Sequence, residues 1–275
     1  MDSLKARKLL QDNSSAIAYV SVNHSNGDES IGTAFHVGEG VFVTAKHVLE
    51  NKSIIEIKIT TPVEIDSKEY FRSVLGANAT DEYLAEHDKA LGDVLKHKPL
   101  FKHWLEPLQI KGDPFLHPDE KVDLAVFQVQ EIHHSAGVVK LGIHWDDWID
   151  LGFWQLSDAI ILGYPPIPMT YEPILIASRA EIHAYANLRH AKNVHFILSA
   201  TPRGGFSGGA AIHESGVALG VVTSALVDNH QPEQLGFFAV LSVEPILKYL
   251  KELDLMPTVQ KEHQNKLYGY AKHQL

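Results

Sequence analysis

The chain of 275 residues contains no cysteine. Disulfide bridges, thiolate metal sites and a cysteine nucleophile are therefore excluded, and any nucleophile has to be an oxygen. In other respects the composition is that of a globular protein, because 45% of the residues are hydrophobic and no low-complexity segment interrupts them. A chain of this length can bury one large core or two modest ones.

The chain also lacks an excess of basic residues and any long apolar run. Its formal net charge is -10, which leaves no basic surface for phosphate contacts and argues against nucleic acid as a partner. Residues 1–11 are charged and amphipathic, unlike a secretory signal, and no segment approaches the length of a membrane span. We therefore expect a cytoplasmic protein that binds neither nucleic acid nor membrane.

What the chain has in abundance is short apolar segments separated by glycine, proline and turn residues, a pattern typical of β-barrels or a β-sandwich. Helical patterns occupy residues 2–12, an insertion at about 66–104, and a closing helix from Val243 to Glu252 with Pro245 in its first turn. For residues 253–275 we predict only a polar tail. The predicted strands are at residues 16–22, 32–37, 41–44, 54–59, 122–129, 160–164, 174–176, 196–199, 216–224 and 236–241.

Three segments at predicted strands carry the residue types of acyl-transfer chemistry: Thr-Ala-Lys-His47, Asp123-Leu-Ala and Gly-Phe-Ser207-Gly-Gly. A serine hydroxyl is a weak nucleophile and needs an imidazole to accept its proton, which makes His47 the candidate base for Ser207. The imidazole needs a carboxylate on its other nitrogen. Asp123 is the best candidate, because it interrupts an apolar strand and needs a buried partner. The other nearby acids lie in a proline-rich loop: Asp113, Asp119 and Glu120.

In this order the three motifs resemble T-A-x-H, D-[IL]-A and G-x-S-G-G of the trypsin-like, chymotrypsin-fold serine proteases. The strand Ile31-Gly-Thr-Ala-Phe35 extends the resemblance, and Ile161-Leu-Gly-Tyr-Pro165 is similar to the HtrA-like bacterial branch. The resemblance covers about residues 16–250 apart from the insertion. HtrA-like enzymes usually carry a PDZ module after the protease, and the residues after the closing helix are too few for one.

The resemblance implies an all-β fold of two six-stranded antiparallel β-barrels. The first would span residues 1–145, with the helical insertion, His47 and Asp123, and the second would span residues 146–252, with Ser207. It implies a serine endopeptidase acting on proteins or peptides, without cofactor or metal, whose oxyanion hole is formed by the amides of Gly205 and Ser207. The glycines suit that role because they allow a tight loop to aim successive N–H groups at one point.

Phe206 departs from the family pattern. The digestive and clotting branch has an aspartate at this position, which pairs with a new N-terminus after zymogen cleavage. Activation by that route is therefore not expected, and the site is either competent as made or ordered by a partner or ligand. The long interval between His47 and Asp123 makes the insertion a candidate docking surface for an activating protein partner.

The resemblance also places the primary specificity pocket. Thr201 would form its base, Thr223, Ser224 and Ala225 one wall, and Gly236 the other. None of these residues is acidic, so a basic substrate side chain would be buried there without a partner. We therefore predict cleavage after small or medium apolar residues.

Two other classes of protein stay open. A chain with this fold that has lost activity would be a catalytically silent binding or scaffold protein. A β-rich hydrolase or lectin-like module is the other class, since Gly205 to Gly209 also fits the Gly-x-Ser-x-Gly elbow of α/β-hydrolases. That fold, however, places its histidine after the serine and alternates strands with helices. The remaining histidines lack the short spacings of metal ligands, and we expect them to be structural or exposed.

Overall fold

The computed structural model describes residues 1–64, 101–151, 154–200, 204–227 and 234–272. Within these residues the chain forms two β lobes and few helices. The strands of the first lobe are β1 Ile17–His24, β2 Glu29–Gly38, β3 Val41–Thr44, β4 Lys52–Glu64, β5 Phe101–Pro107, β6 Phe115–Leu116 and β7 Ala125–Gln128. Those of the second lobe are β8 Asp158–Gly163, β9 Ile176–Asn187, β10 Val194–Ser199, β11 Ala210–His213, β12 Ala218–Val227 and β13 Gln234–Ser242. The helices are α1 Ser3–Asn13, α2 Lys46–Leu49, α3 Val243–Glu252 and α4 Thr258–Lys272, with 3-10 turns at Ser14–Ala16 and Asp146–Leu151.

The first lobe is an antiparallel sheet of seven strands in the order β5-β4-β1-β2-β3-β7-β6. The expected number was six, and β5 forms where we predicted the end of a helical insertion. Residues 101–104 pair with β4 from Trp104 opposite Thr61 to Phe101 opposite Glu64. Cross-strand pairing is a tertiary interaction that overrides a local helical pattern. The rest of the predicted insertion lies outside the described residues.

The second lobe is a closed six-stranded barrel in the order β10-β13-β12-β11-β8-β9, as predicted. Successive side chains of a strand point to opposite faces, so along β8 Ile161 enters the barrel core while Ile160 and Leu162 enter a core shared with the first lobe. Burial on both faces explains why this strand is a continuous apolar run in the sequence. The all-β fold of two lobes is thus confirmed.

The segment predicted only as a polar tail contains α4, which packs against β2 and the connection between the lobes. Gln260 of α4 is fully buried. Its side-chain amide donates to the carbonyl oxygens of Val37 and Val139, both at 2.8 Å, and its Oε1 accepts from the Leu141 N–H at 3.1 Å. One side chain therefore satisfies three backbone groups that would otherwise be buried without partners.

Replacing Gln260 by alanine should lower the free energy of unfolding by about 2–4 kcal/mol, because two carbonyl oxygens and one N–H would lose their partner. Urea unfolding followed by circular dichroism measures this difference. Lys261→Ala, at the next and exposed position of α4, is the matched control and should change the free energy by less than about 0.5 kcal/mol. Equal effects of the two substitutions would show that the Gln260 amide has no special role.

Candidate active site

The turn that carries His47 and the loop that carries Asp123 lie side by side because their strands are paired. β3 runs antiparallel to β7, with Thr44 opposite Ala125. His47 follows β3 in the single helical turn α2, and Asp123 comes just before β7. Neighbouring strand ends therefore bring the imidazole and the carboxylate together.

Asp123 lies before β7 and not inside the strand predicted for residues 122–129. The Leu124 N–H donates to the Val122 carbonyl at 2.9 Å, a tight turn that keeps these residues out of the ladder. The prediction that Asp123 interrupts a strand is therefore wrong, although its need for a partner is met.

Asp123 binds His47 through two hydrogen bonds. The imidazole Nδ1 lies 2.7 Å from Oδ2, and the backbone N–H of His47 donates to Oδ1 at 2.9 Å. A carboxylate beside Nδ1 selects the tautomer with the proton on that nitrogen, which leaves Nε2 as the basic atom. Within the described part of the chain Nε2 has no hydrogen-bond partner, and the His47 side chain is 47% exposed. Asp123 thus orients the imidazole through Nδ1, and the Nε2 side of the ring is left open.

The loop that carries Ser207 docks on the first lobe. The Thr33 N–H donates to the Ser207 carbonyl at 2.8 Å, and the Thr33 hydroxyl donates to the Gly205 carbonyl at 2.6 Å. Gly208 has a φ of 83°, and a Cβ there would collide with Thr33 and Thr44 and lie 3.1 Å from the Ala45 nitrogen. The serine loop therefore lies against the end of β3 and against Ala45, which is two residues before His47.

Ser207 itself is half-buried. Across the residues the structure describes, its hydroxyl makes no hydrogen bond to His47. The structure thus brings His47 and Asp123 into contact. It places Ser207 at the same interface between the two lobes, but without a hydrogen bond from its hydroxyl to His47.

The two predicted oxyanion-hole donors are the backbone N–H groups of Gly205, in the turn before Ser207, and of Ser207 itself. The next two amides are used internally, since Gly208 N–H donates to Val222 O at 2.7 Å and Gly209 N–H to Phe206 O at 2.8 Å. The N–H groups of Gly205 and Ser207 have no acceptor among the described residues. Gly205 has a φ of 92°, and a Cβ there would lie 2.5 Å from the Tyr164 carbonyl oxygen, so only glycine fits.

Phe206 is an apolar anchor for this loop. Its side chain is 2% exposed and belongs to the core of the second barrel. Its ring packs edge-on against Phe238, with the ring centroids 5.6 Å apart. The position that holds an aspartate in the digestive branch therefore holds a buried aromatic ring in this chain.

The described residues predicted to form the primary pocket lie on two neighbouring strands, β12 and β13. Gly236 has a φ of 76° and faces open space, and its carbonyl accepts from the Ala200 N–H at 3.2 Å. Thr223 is buried, and its hydroxyl donates to the Ala239 carbonyl at 3.2 Å. Ser224 and Ala225 continue β12 opposite Ala239 and Phe238. Thr201 lies outside the described residues, so the pocket stays a prediction.

Sequence reasoning missed two residues of the site, Thr33 and Lys52. The Thr33 hydroxyl also accepts from the Tyr164 N–H at 2.9 Å, so this buried residue joins the serine loop to β8. The Lys52 ammonium donates to the His47 carbonyl at 2.6 Å. Thr33 follows the glycine of the recognised strand pattern and could have been singled out from it, whereas nothing local marks Lys52.

The histidines that are buried away from this site have structural environments. Burial lowers the pKa of His36, whose ring lies 2.6 Å from the Gly137 carbonyl and accepts from the Gly40 N–H at 3.1 Å. Burial lowers the pKa of His144 to about 4. In the part of the chain that the structure describes, no three His, Asp or Glu side chains are grouped to hold a metal ion. None of the helices described there has the length and apolar character needed to cross a membrane.

Two β lobes, with a histidine–aspartate pair on one and a glycine-rich serine loop on the other, define a chymotrypsin-like serine protease fold. The family model described as the trypsin-like peptidase domain matches residues 32–221. The chain belongs to this family. No curated protein sequence matches it.

Solved structures give the same fold at low sequence identity. The HtrA-type protease AlgW with tripeptide is 15% identical with a TM-score of 0.57, over 90% of this chain and 63% of that one. The active form of the Rv3671c protease from M. tuberculosis is 15% identical with a TM-score of 0.58, over 91% and 86% of the two chains. Its inactive form is also 15% identical, with a TM-score of 0.53, over 92% and 96%. This chain thus spans 63% of the AlgW chain.

Proposed function

We propose that this protein is a serine endopeptidase in which Ser207 is the nucleophile, His47 the general base and Asp123 the residue that orients His47. The observation that carries the proposal is the pair of hydrogen bonds that the Asp123 carboxylate accepts from Nδ1–H and the backbone N–H of His47. That arrangement makes Nε2 the proton acceptor and stabilises the imidazolium that forms.

In the proposed reaction the Ser207 hydroxyl attacks the peptide carbonyl carbon while Nε2 of His47 takes the hydroxyl proton. The carbonyl oxygen becomes an oxyanion, which the N–H groups of Gly205 and Ser207 bind. His47 then gives the proton to the leaving amine, and an acyl-enzyme remains on Ser207. Water, activated in turn by His47, hydrolyses the ester and restores the site.

The two unpaired amides support the oxyanion-hole part of the proposal. Gly205 and Ser207 direct N–H groups to no acceptor among the described residues, while Gly208 and Gly209 use theirs to hold the loop. Donors that are already in place cost no reorganisation when charge develops on the substrate. One such donor contributes about 2.7–4 kcal/mol to transition-state stabilisation.

A second candidate function is a catalytically silent binding or scaffold protein. The observation in its favour is that no hydrogen bond joins the Ser207 hydroxyl to His47 in the described part of the chain. Catalytic hydrogen bonds are often long without substrate and tighten when it binds. We therefore favour the enzyme and infer that substrate or an activating protein completes the Ser207–His47 contact.

For specificity, we propose that the enzyme cleaves after small or medium apolar residues. Gly236 leaves open space on one side of the predicted pocket, and the described residues predicted to line the pocket carry no charge. A lysine or arginine side chain would lose its hydration in such a pocket without gaining a counter-ion.

For regulation, we propose that the segment between β4 and β5 docks an activating protein partner. Glu64 and Phe101 lie directly opposite each other in the β4–β5 ladder. Residues 65–100 are therefore inserted at the end of a hairpin whose strands pair without them. Such an insertion can serve recognition while the fold of the lobe rests on the strands.

Ser207→Ala should abolish covalent labelling of the purified protein by a fluorophosphonate probe, because the probe reacts with an activated serine. Ser215→Ala removes an exposed hydroxyl from a turn of the same lobe and is the control, which should label like the unaltered protein. Labelling that persists in Ser207→Ala would refute the assignment of the nucleophile. If neither the unaltered protein nor Ser215→Ala is labelled, either alone or with cell extract added, the catalytically silent protein is the better conclusion.

Peptides with Ala, Val or Leu before the scissile bond should have kcat/KM values at least about 100-fold above those with Arg or Lys. Gly236→Asn should then reduce cleavage after Leu by about 10-fold and affect cleavage after Ala less, since asparagine tolerates positive φ and would fill the open space. Gly27→Asn is matched to it, because Gly27 has a φ of 88° and also faces open space in a distant turn. This control should leave cleavage unchanged. A peptide-library profile dominated by Arg or Lys would refute the predicted preference for small or medium apolar residues.

Replacing residues 65–100 by Asn-Gly should give a protein that folds, because this dipeptide favours the two-residue turn that joins paired strands. Circular dichroism and thermal unfolding test the fold. We expect the variant to retain any basal fluorophosphonate labelling but to lose the increase that cell extract causes in the full chain. An increase of the same size in the variant would contradict docking of an activator on this segment.

A further inference from the structure

Lys52 closes the end of the helical turn that carries His47. α2 has only four residues, Lys46–Leu49, and the Glu50 N–H donates to the Lys46 carbonyl at 2.9 Å. The next carbonyl, that of His47, accepts no backbone N–H among the described residues. The Lys52 ammonium lies 2.6 Å from this oxygen and replaces the missing donor. A lysine near a helix C-terminus commonly satisfies such a carbonyl.

His47 is consequently held at three points. Asp123 binds its backbone N–H and its ring Nδ1, and Lys52 binds its carbonyl oxygen. Only Nε2, the atom that has to exchange a proton with Ser207, is left without a described partner. The three bonds act on opposite ends of one residue, so together they restrict the backbone turn as well as the ring.

The position of Lys52 is itself restricted by its surroundings. The residue is half-buried and lines an open cavity of about 320 Å³. Burial lowers the pKa of Lys52, and the charges of Asp123 and Glu50 oppose that shift. The ammonium therefore lies close enough to the Asp123 carboxylate to interact with it electrostatically.

We propose that Lys52 is a positioning residue of the active site, which fixes the main chain of His47 and places a positive charge beside the His47–Asp123 pair. The assignment rests on the proposed function for its catalytic meaning, but the geometry of His47 can be measured without catalysis. Two consequences follow. Without the Lys52 donor the His47 ring should be less rigidly held against Asp123, and without the charge its protonation should be easier.

Other charged groups near His47 limit the size of the electrostatic effect. On α2, the Lys46 ammonium lies 3.3 Å from Glu50 and donates to the His117 carbonyl, so its charge is largely compensated locally. From the second lobe, burial lowers the pKa of His195 on β10, and the charges of Asp146 and Asp123 only partly oppose that shift. Lys52 is thus the cation whose removal acts most directly on the pair.

The first test uses NMR on the Ser207→Ala protein, which needs no activity. The Nδ1–H proton of His47, bound to Asp123, should give a downfield signal that His47→Gln removes. Lys52→Met should broaden this signal and speed its exchange with solvent by about 10-fold, and Lys52→Arg should restore it. Lys58→Met is the control on the same strand, because Lys58 pairs with Glu56, and it should change nothing.

The second test is the pH profile of kcat/KM. Lys52→Met and Lys52→Gln should both move the acid limb to higher pH by about half a unit, since an imidazolium no longer meets a nearby cation. Lys52→Gln keeps a donor for the His47 carbonyl, so it should retain more of kcat than Lys52→Met, while KM stays within about twofold in both. Lys52→Arg should keep the original profile.

An unchanged Nδ1–H signal in both Lys52→Met and Lys52→Gln, together with an unchanged acid limb, would overturn the assignment. If Lys52→Met does not fold, Lys52→Gln and Lys52→Arg still separate the donor from the charge. Failure of the proposed function would look different. Ser207 would then not label and no peptide would be cleaved, while the Nδ1–H signal would still respond to Lys52.

Discussion

The two hydrogen bonds that His47 donates to the Asp123 carboxylate are the constraint on which the rest of the site depends. A carboxylate that binds Nδ1 and the backbone N–H of the same residue does so in one orientation of the ring, so the direction of Nε2 is set by the position of Asp123. That position follows from the pairing of β3 with β7, in which Thr44 is opposite Ala125. A register shift of one residue would carry Asp123 away from His47. The ladder is therefore part of the site, although none of its residues reacts.

Thr33 extends this constraint to the second lobe. It is fully buried, and it contacts Ser207 and Gly205 through their carbonyl oxygens and Tyr164 through its N–H. Because a buried polar group is costly without a partner, these bonds hold the serine loop and the end of β8 to β2, the strand that carries Thr33. The two halves of the site come from separate lobes, and their alignment depends on a residue that takes no part in the proposed reaction.

The parts of the structure that could be predicted from the sequence are those marked by local patterns. Continuous apolar runs predicted β1 and β8, and residue types in a fixed order predicted the contact of His47 with Asp123. β9 was predicted only at residues 174–176 but reaches Asn187, because its alanine-rich and charged residues have little intrinsic strand preference and pair with β8 and β10. Lys52 and Gln260 were missed for a related reason, since their partners are main-chain groups, which leave no trace in the sequence.

Phe206 changes the physical basis on which the serine loop is ordered. In the digestive branch, from which the sequence departs at this position, an ion pair with a freed terminus orders the loop, and cleavage can switch it. Here the anchor is a ring buried against Phe238, and burial of such a side chain contributes about 1.5–3 kcal/mol at all times. The buried ring needs no freed terminus as its partner, unlike an aspartate at this position. The proposed activation by substrate or a partner would act on the contact between Ser207 and His47, which no hydrogen bond fixes in the described residues.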